Sequence, residues 1–125
     1  MTKYGIRMAA ALLVASVIPT VHAQERREHD FERARNVIAK TREDLQHIER
    51  HDAFVREDHE RYERVMRELS EMQRDLDDHR LDRERLGRAA EDVDHVAHVG
   101  MVGPRERERL MDDSRDLRRL REDWR

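Results

Sequence analysis

The 125-residue sequence is strongly ionic: charged residues make up 44% of it, with 26 basic against 29 acidic side chains and a formal net charge of −3. It has no cysteine, which excludes a disulfide framework, a thiolate metal site and a cysteine-based redox motif. The net negative charge also argues against nucleic acid as a partner, because affinity for a phosphate backbone rests on a basic surface.

The first 23 residues have the three-part pattern of a secretory signal peptide. Residues 1–7 are basic, residues 8–18 form an unbroken run of small and apolar side chains, and Pro19 is expected to end that run. The tripeptide Val21-His22-Ala23 then supplies the small or branched residues that precede a cleavage site. The apolar run is shorter than the roughly 20 residues that span a bilayer. The sequence therefore predicts cleavage after this tripeptide and export to the bacterial periplasm or the surrounding medium.

Cleavage would leave residues 24–125, a single domain of 102 residues (125 − 23) with 24 basic and 29 acidic side chains, a net charge of −5 (24 − 29). Without cysteine the chain has no residue for N-terminal lipid attachment, so no stable membrane insertion is expected after cleavage. Apolar residues recur between the charges at steps of three and four, the spacing of amphipathic helices. This periodicity predicts an all-α domain.

The first predicted helix spans about residues 25–50 and the second about residues 57–78. Both carry apolar side chains at the a and d spacing of a helix that buries one narrow stripe. The pattern loses its phase over residues 51–55, which predicts a corner between the two helices. The stripe residues are Phe31, Ala34, Ile38, Thr41, Leu45 and Ile48 in the first helix, and Tyr62, Val65, Leu69, Met72 and Leu76 in the second.

The third predicted helix spans about residues 82–98 and the fourth about residues 104–124. Asp82 is expected to cap the third helix, and Pro104 is expected at the first position of the fourth, where its missing N–H costs nothing. The predicted buried residues are Leu86, Ala89, Ala90, Val93, Val96 and Ala97 in the third helix, and Leu110, Met111, Leu117, Leu120 and Trp124 in the fourth.

Short corners between successive helices favour antiparallel neighbours. The sequence therefore predicts an antiparallel four-helix bundle or two stacked helical hairpins, and it leaves both arrangements open. The core is thin, with mostly one stripe for each helix, so leftover apolar surface is compatible with a homodimer.

Two strips of histidine and glutamate have the spacing of metal ligands. One comprises Glu43, His47 and His51 on the first helix, and the other comprises Glu91, His95 and His98 on the third. Imidazole and carboxylate at i, i+3 or i+4 suit zinc, copper or nickel. The alternative interpretation is that both strips are solvated parts of a charge-rich surface.

A second candidate surface lies on the last helix, where Leu117, Leu120 and Trp124 could contact a partner protein or simply belong to the core. No catalytic residue, and no residue that binds an organic cofactor, is predicted. The mature serines, Ser70 and Ser114, lie inside predicted helices, and the glycines do not form a phosphate-binding loop.

The chain resembles small exported bacterial helical proteins to which no activity is assigned. The features that carry this resemblance are the signal peptide, Arg80-Leu81-Asp82, Asp92-Val93-Asp94-His95-Val96 and Gly103-Pro104-Arg105-Glu106-Arg107.

It is also similar in kind to the CpxP and Spy family of periplasmic stress chaperones and metal-responsive adaptors, which are all-helical, exported, charge-rich and cysteine-poor. The Leu-Thr-x-x-Gln motif of that family is absent, since Thr41 is followed by Arg42 and Glu43, and no functional residue is carried over. Taken together, the sequence predicts a non-enzymatic exported helical protein that binds other proteins, either structurally or as an envelope-stress factor. The alternative, which rests on the spacing of the two histidine strips, is a metal-binding protein.

Overall fold

A computed structural model describes residues 2–51, 56–98 and 102–124, with side chains described for residues 23–48, 58–98 and 102–124. These residues form four α-helices and, within the described ranges, no strand, so the described fold is all-α as predicted. The helices are α1 (Thr2–His51), α2 (Arg56–Asp77), α3 (Arg83–Ala97) and α4 (Pro104–Asp123).

Helices α2, α3 and α4 begin and end within one residue of the bounds expected from the periodicity. Helix α1 differs: it begins at Thr2 and passes through Pro19, where a break was predicted. Alanine and leucine, which are strong helix formers, fill much of the segment before that proline. The predicted corner between the first two helices falls on residues 52–55, outside the described part of the chain.

Residues 1–32 and residues 33–125 form two separate compact units. In the first unit, the side chains of residues 23–30 are all exposed. Across the part of the chain that the structure describes, no helix is long and apolar enough to cross a membrane.

The core of the second unit takes one apolar stripe from each helix, as the 3–4 spacing predicts. Ile38, Leu69, Val93 and Leu117 represent the four stripes, and none of them has any exposed surface. Among the described residues, the one large apolar side chain left exposed is Met111, at 38%. Met111 was predicted to be buried, and that prediction was wrong.

Each of the last two helices stabilises the C-terminal turn of the other. Arg83, in the first turn of α3, donates from Nε to the carbonyl oxygen of Arg121 in the last turn of α4 (3.0 Å). Arg107, near the start of α4, donates from Nε to the carbonyl oxygen of Ala97 at the end of α3 (3.0 Å). The final carbonyls of a helix lack partners within it and attract cations, so both contacts are favourable.

A third bond fixes the register between α3 and α4. The Ser114 hydroxyl donates to the carbonyl oxygen of Ala90 (2.8 Å) in the buried interface. The first bond joins residue 83 of α3 to residue 121 of α4, and this bond joins residue 90 to residue 114. The residue number thus increases by seven along α3 (90 − 83) and decreases by seven along α4 (121 − 114). The two helices therefore run antiparallel.

Helices α2 and α3 are joined by ion pairs from two arginines of α3. Arg85 on α3 forms ion pairs with Glu68 (3.5 Å), Asp75 (3.0 Å) and Glu71, all on α2. Arg88, one turn further along α3, also reaches Glu68, at 3.7 Å. Later residues of α3 thus meet earlier residues of α2, which is again antiparallel.

Helix α1 is bonded to both α2 and α4. Arg35 donates to the carbonyl oxygen of Leu76 in the last turn of α2 (3.2 Å), and Arg42 donates to the side chain of Gln73. On the other side, Arg33 pairs with Asp123 (2.9 Å) and Lys40 with Asp113 (2.7 Å), so α1 and α4 are antiparallel too.

The end of α2 has a left-handed cap without glycine. His79 has φ = 57°, its N–H donates to the carbonyl of Leu76 (3.0 Å), and the N–H of Arg80 donates to the carbonyl of Asp75 (2.8 Å). This is the Schellman pattern of helix ends. Asp82 then caps α3 by accepting from the backbone N–H of Glu84 (2.9 Å), as predicted.

Candidate functional site

Two adjoining pockets lie on the surface between α3 and α4. The first has a volume of about 270 Å³, and we name it the arginine pocket; it is lined by Arg83, Gly87, Glu91, Arg118, Arg121 and Glu122. The second has a volume of about 430 Å³, and we name it the histidine pocket; it is lined by Glu91, Asp94, His95, His98 and Arg118. Glu91 and Arg118 line both pockets, so the two are parts of one groove, the α3–α4 groove.

The helical repeat explains how these residues come together. Arg83, Gly87, Glu91 and His95 are four apart, which places them on one face of α3, beside the stripe that packs into the core. The antiparallel register brings the last turns of α4, with Arg118, alongside this face. The groove is thus the solvent-facing edge of the α3–α4 interface.

Gly87 lets a guanidinium group lie against α3. A Cβ atom at this position would be 2.8 Å from Nη1 of Arg121 and 3.1 Å from its Cζ, closer than such atoms approach. Gly87 does not have a positive φ, so its backbone conformation does not call for glycine. In this structure Arg121 occupies the space that the missing Cβ leaves open beside the helix backbone.

The charged groups of the arginine pocket do not neutralise one another. Within the described part of the chain, neither Arg118 nor Arg121 has a carboxylate oxygen within 4.0 Å, and Glu91 and Glu122 have no cation within that distance. Arg83 uses its Nε for the carbonyl bond to α4. Three guanidinium groups and two carboxylates therefore border one small cavity without forming ion pairs.

The histidine pocket contains one of the two predicted metal strips. Glu91, His95 and His98 line it together with Asp94. Nδ1 of His98 lies 2.7 Å from the carbonyl oxygen of Asp94, a bond in which the imidazole N–H is the donor. Among the described residues, no group of three or more histidine or acidic side chains has a geometry that could hold a metal ion.

The other predicted strip is less complete in the structure. Glu43 and His47 are exposed on α1, and the side chain of His51 lies outside the described residues. The structure therefore shows two of these three side chains and does not bring the set together.

The partner surface expected on the last helix is mostly core. Leu117 has no exposed surface and Leu120 is 1% exposed, so neither offers area to a partner in this structure. Trp124 is half-buried at the end of α4, where its backbone N–H donates to the carbonyl of Leu120 (3.0 Å). The 3–4 spacing that suggested a contact face is the spacing of the buried stripe.

A buried ionic cluster between α1 and α4 was not predicted from the sequence. Asp113 is 1% exposed; its Oδ1 accepts from Nζ of Lys40 (2.7 Å), while its Oδ2 is buried without a hydrogen-bond partner. Lys40 also reaches Asp44, at 3.4 Å.

Burial raises the pKa of Asp113 to about 7; the neighbouring Asp44 carboxylate adds to this increase, and the Lys40 ammonium offsets part of it. The same contact with Asp113 raises the pKa of Lys40, which keeps the amine charged. When Asp113 is ionised, its buried Oδ2 has no donor to meet, which favours the protonated carboxyl. The cluster is thus a place where the fold retains a proton near neutral pH.

No family model, no curated protein and no solved structure matches the chain.

Proposed function

We propose that this chain is a non-enzymatic helical protein that acts by binding other proteins through the α3–α4 groove, either structurally or as an envelope-stress, chaperone-like factor. The observation that carries this proposal is the set of unpaired charges around the arginine pocket. Charged groups that lack partners in the free protein can pair across an interface, where they provide specificity and speed association. An apolar contact surface is not needed for such a role.

We further propose that the four helices close into an antiparallel bundle that presents this groove. The described pairs α1–α2, α2–α3, α3–α4 and α1–α4 are each bridged by side-chain bonds, which supports a closed ring of neighbours. In such an arrangement the rigid α3–α4 pair holds the groove at fixed width.

Aggregation of a heat-labile client protein, followed by light scattering, tests the binding function. We expect the processed protein to suppress scattering at several-fold molar excess and to lose this effect in high salt, because the contact is ionic. Absence of suppression at low salt contradicts the chaperone-like role.

A matched pair of charge reversals tests whether the groove is the contact surface. Arg118→Glu alters the groove, whereas Arg119→Glu makes the same change of charge at an exposed α4 position outside it. We expect the first variant to require at least about three times more protein for the same effect, a loss of roughly 0.7 kcal/mol, and the second to behave as the parent. Equal losses in both variants contradict a specific role for the groove.

Export is part of this proposal and rests on the signal-peptide pattern of residues 1–23. When the full chain is expressed in a bacterium, we expect periplasmic protein whose intact mass and first residue correspond to a start at Gln24. Full-length protein confined to the cytoplasmic fraction contradicts export.

Metal binding is the second candidate function, and the specific observation that favours it is that Glu91, His95 and His98 share one pocket. The described side chains do not converge on a common point, so binding requires them to rotate. Calorimetry with zinc, copper and nickel should show binding that is lost in a variant with alanine at positions 47, 51, 95 and 98. No binding tighter than roughly 100 μM for the parent, about −5.5 kcal/mol, contradicts this function.

A further inference from the structure

We propose that the arginine pocket is a binding site for an oxyanion, the oxygen face of a phosphate or carboxylate group. This inference deepens the proposed function, because such a group on a partner would then be what the α3–α4 groove recognises. Binding of a free anion to the pocket can be measured without any partner, so the two proposals can fail separately.

The chemistry of the lining favours an oxygen anion. Guanidinium groups present planar sets of N–H donors that match the geometry of carboxylate and phosphate oxygens. Arg83, Arg118 and Arg121 supply three such groups around a cavity of about 270 Å³. Arg83 and Arg121 are tied together at one end, since Nε of Arg83 donates to the carbonyl of Arg121 and leaves the terminal nitrogens of Arg83 available.

The position of Arg121 is built into α3. Its guanidinium lies so close to Gly87 that a Cβ atom at this position would be only 2.8 Å from Nη1. Glycine in the interior of an exposed helix is unfavourable relative to alanine, so its presence at position 87 opposes helix stability. What the glycine provides is a recess in which the cation sits beside the helix backbone, facing the same cavity as Arg118.

Glu91 and Glu122 limit the affinity of the arginine pocket for anions. With three cations and two carboxylates, the lining has a net charge of +1 (3 − 2). The acids lower the affinity for a free anion, because they repel it from the cavity. Removal of the negative charge at Glu122 should therefore strengthen binding.

Titration with inorganic phosphate, followed by NMR of ¹⁵N-labelled arginine side chains in the processed protein, tests the site. At constant ionic strength we expect the Nε–H signals of Arg118 and Arg121 to shift with saturation, at a Kd of about 1–10 mM. A parallel titration with acetate identifies the source: saturable shifts with phosphate alone indicate phosphoryl groups, and shifts with both indicate that carboxylates are accepted too. Absence of saturable shifts with either anion overturns the proposal.

Three variants and a matched control separate this site from diffuse attraction. Arg118→Gln and Gly87→Ala should each raise the Kd at least about fivefold, and Glu122→Gln should lower it. Arg119→Gln removes one positive charge from the same helix outside the pocket and should leave the Kd unchanged. Equal weakening by Arg118→Gln and Arg119→Gln overturns the proposal.

Gly87→Ala keeps the test independent of folding. The group that its Cβ displaces is the flexible end of an arginine side chain, and alanine favours the helix, so the thermal midpoint should be no lower than that of the parent. Unchanged phosphate affinity in this folded variant contradicts the role assigned to Arg121.

Discussion

Asp113 occupies a position that the spacing of α4 reserves for the core. It lies three residues after Leu110 and four before Leu117, both fully buried, so a helix that buries those two leucines also buries the side chain that shares their face. Asp113 and Ser114 fill this interval, and Met111 is turned outward as a result. The fold therefore accepts a carboxyl group inside, with Lys40 as its partner.

This burial makes stability depend on pH in a defined direction. The pKa of Asp113 is about 7 in the folded protein and 3.8 as its ordinary value, so the folded state holds a proton that the unfolded state has released in the range between. The stabilisation is complete below about pH 4 and is lost as the pH rises towards 7. At about 1.4 kcal/mol for each pKa unit, the loss is on the order of 4 kcal/mol.

Asp113→Asn should remove this dependence, because the amide accepts from Lys40 and donates to Asp44 at every pH. We expect the free energy of unfolding of the variant, relative to the parent, to increase between pH 5 and pH 8 by roughly 2–3 kcal/mol. Urea denaturation at several pH values measures the difference. Asp112→Asn, at an exposed neighbouring position, should show no such trend. If the two variants respond to pH alike, the buried carboxyl is not the cause.

Residue-scale prediction from the sequence succeeds where side chains are apolar. Leu45, Leu69 and Val93 were identified by spacing and are buried. The helical spacing between Leu110 and Leu117 places Asp113 on the buried face of α4. Its charge favours the opposite assignment, and the burial of Asp113 was therefore not predicted. The left-handed cap at His79 carried no such signal, since glycine usually marks it.

At the scale of elements, arginine connects the helices. Three helices end on a carbonyl that accepts from an arginine of another helix: Leu76 of α2, Ala97 of α3 and Arg121 of α4. These contacts relieve the partial negative charge at helix C-termini. The α2–α3 pair adds the carboxylates grouped around Arg85, which is 24% exposed.

Arg85→Gln should weaken the α2–α3 pair, because Glu68, Glu71 and Asp75 would then face one another without their shared cation. We expect a loss of about 1–3 kcal/mol in the free energy of unfolding, smaller in 1 M salt. Chemical denaturation at two salt concentrations measures it.

Arg80→Gln provides the comparison for this prediction. Arg80 pairs with Asp78 at 3.2 Å, but both side chains are largely exposed, at 71% and 68%. Its loss should change stability by less than about 0.5 kcal/mol. Equal effects at positions 80 and 85 indicate that the Arg85 cluster adds nothing beyond an ordinary surface ion pair.

The existence of the helices and the bounds of α2, α3 and α4 followed from the sequence far better than the pairing of the helices, whereas the start of α1 did not follow. Periodicity and capping are local, so Asp82 and Pro104 marked helix starts that the structure has within one residue. Which arginine meets which carbonyl depends on how the helices meet, and 23 arginines after residue 23 offer too many equivalent choices. The arginine pocket was missed for this reason.

At the scale of the whole chain, the division after residue 32 suggests that residues 33–125 carry their own core. The free energy of unfolding of a chain that begins at Phe31 should therefore lie within about 0.5 kcal/mol of that of a chain that begins at Gln24, because the side chains of residues 24–30 are all exposed. Thermal and urea unfolding by circular dichroism compare the two. A loss of several kcal/mol in the shorter chain places part of the core contacts in the removed segment.

The bonds between α3 and α4 give this pair an asymmetric tolerance to mutation. Arg83, Arg107 and Ser114 donate through their side chains, whereas the acceptors are main-chain oxygens that every amino acid possesses. Substitution at the exposed accepting position, Arg121, leaves the main-chain acceptor in place, whereas loss of a donor side chain abolishes its bond. Ala90 and Ala97 are fully buried, so only small side chains are compatible with the other two bonds. Exposed residues around Arg121 can therefore be substituted during evolution without changing the register of α3 and α4, provided that the three donor side chains are retained.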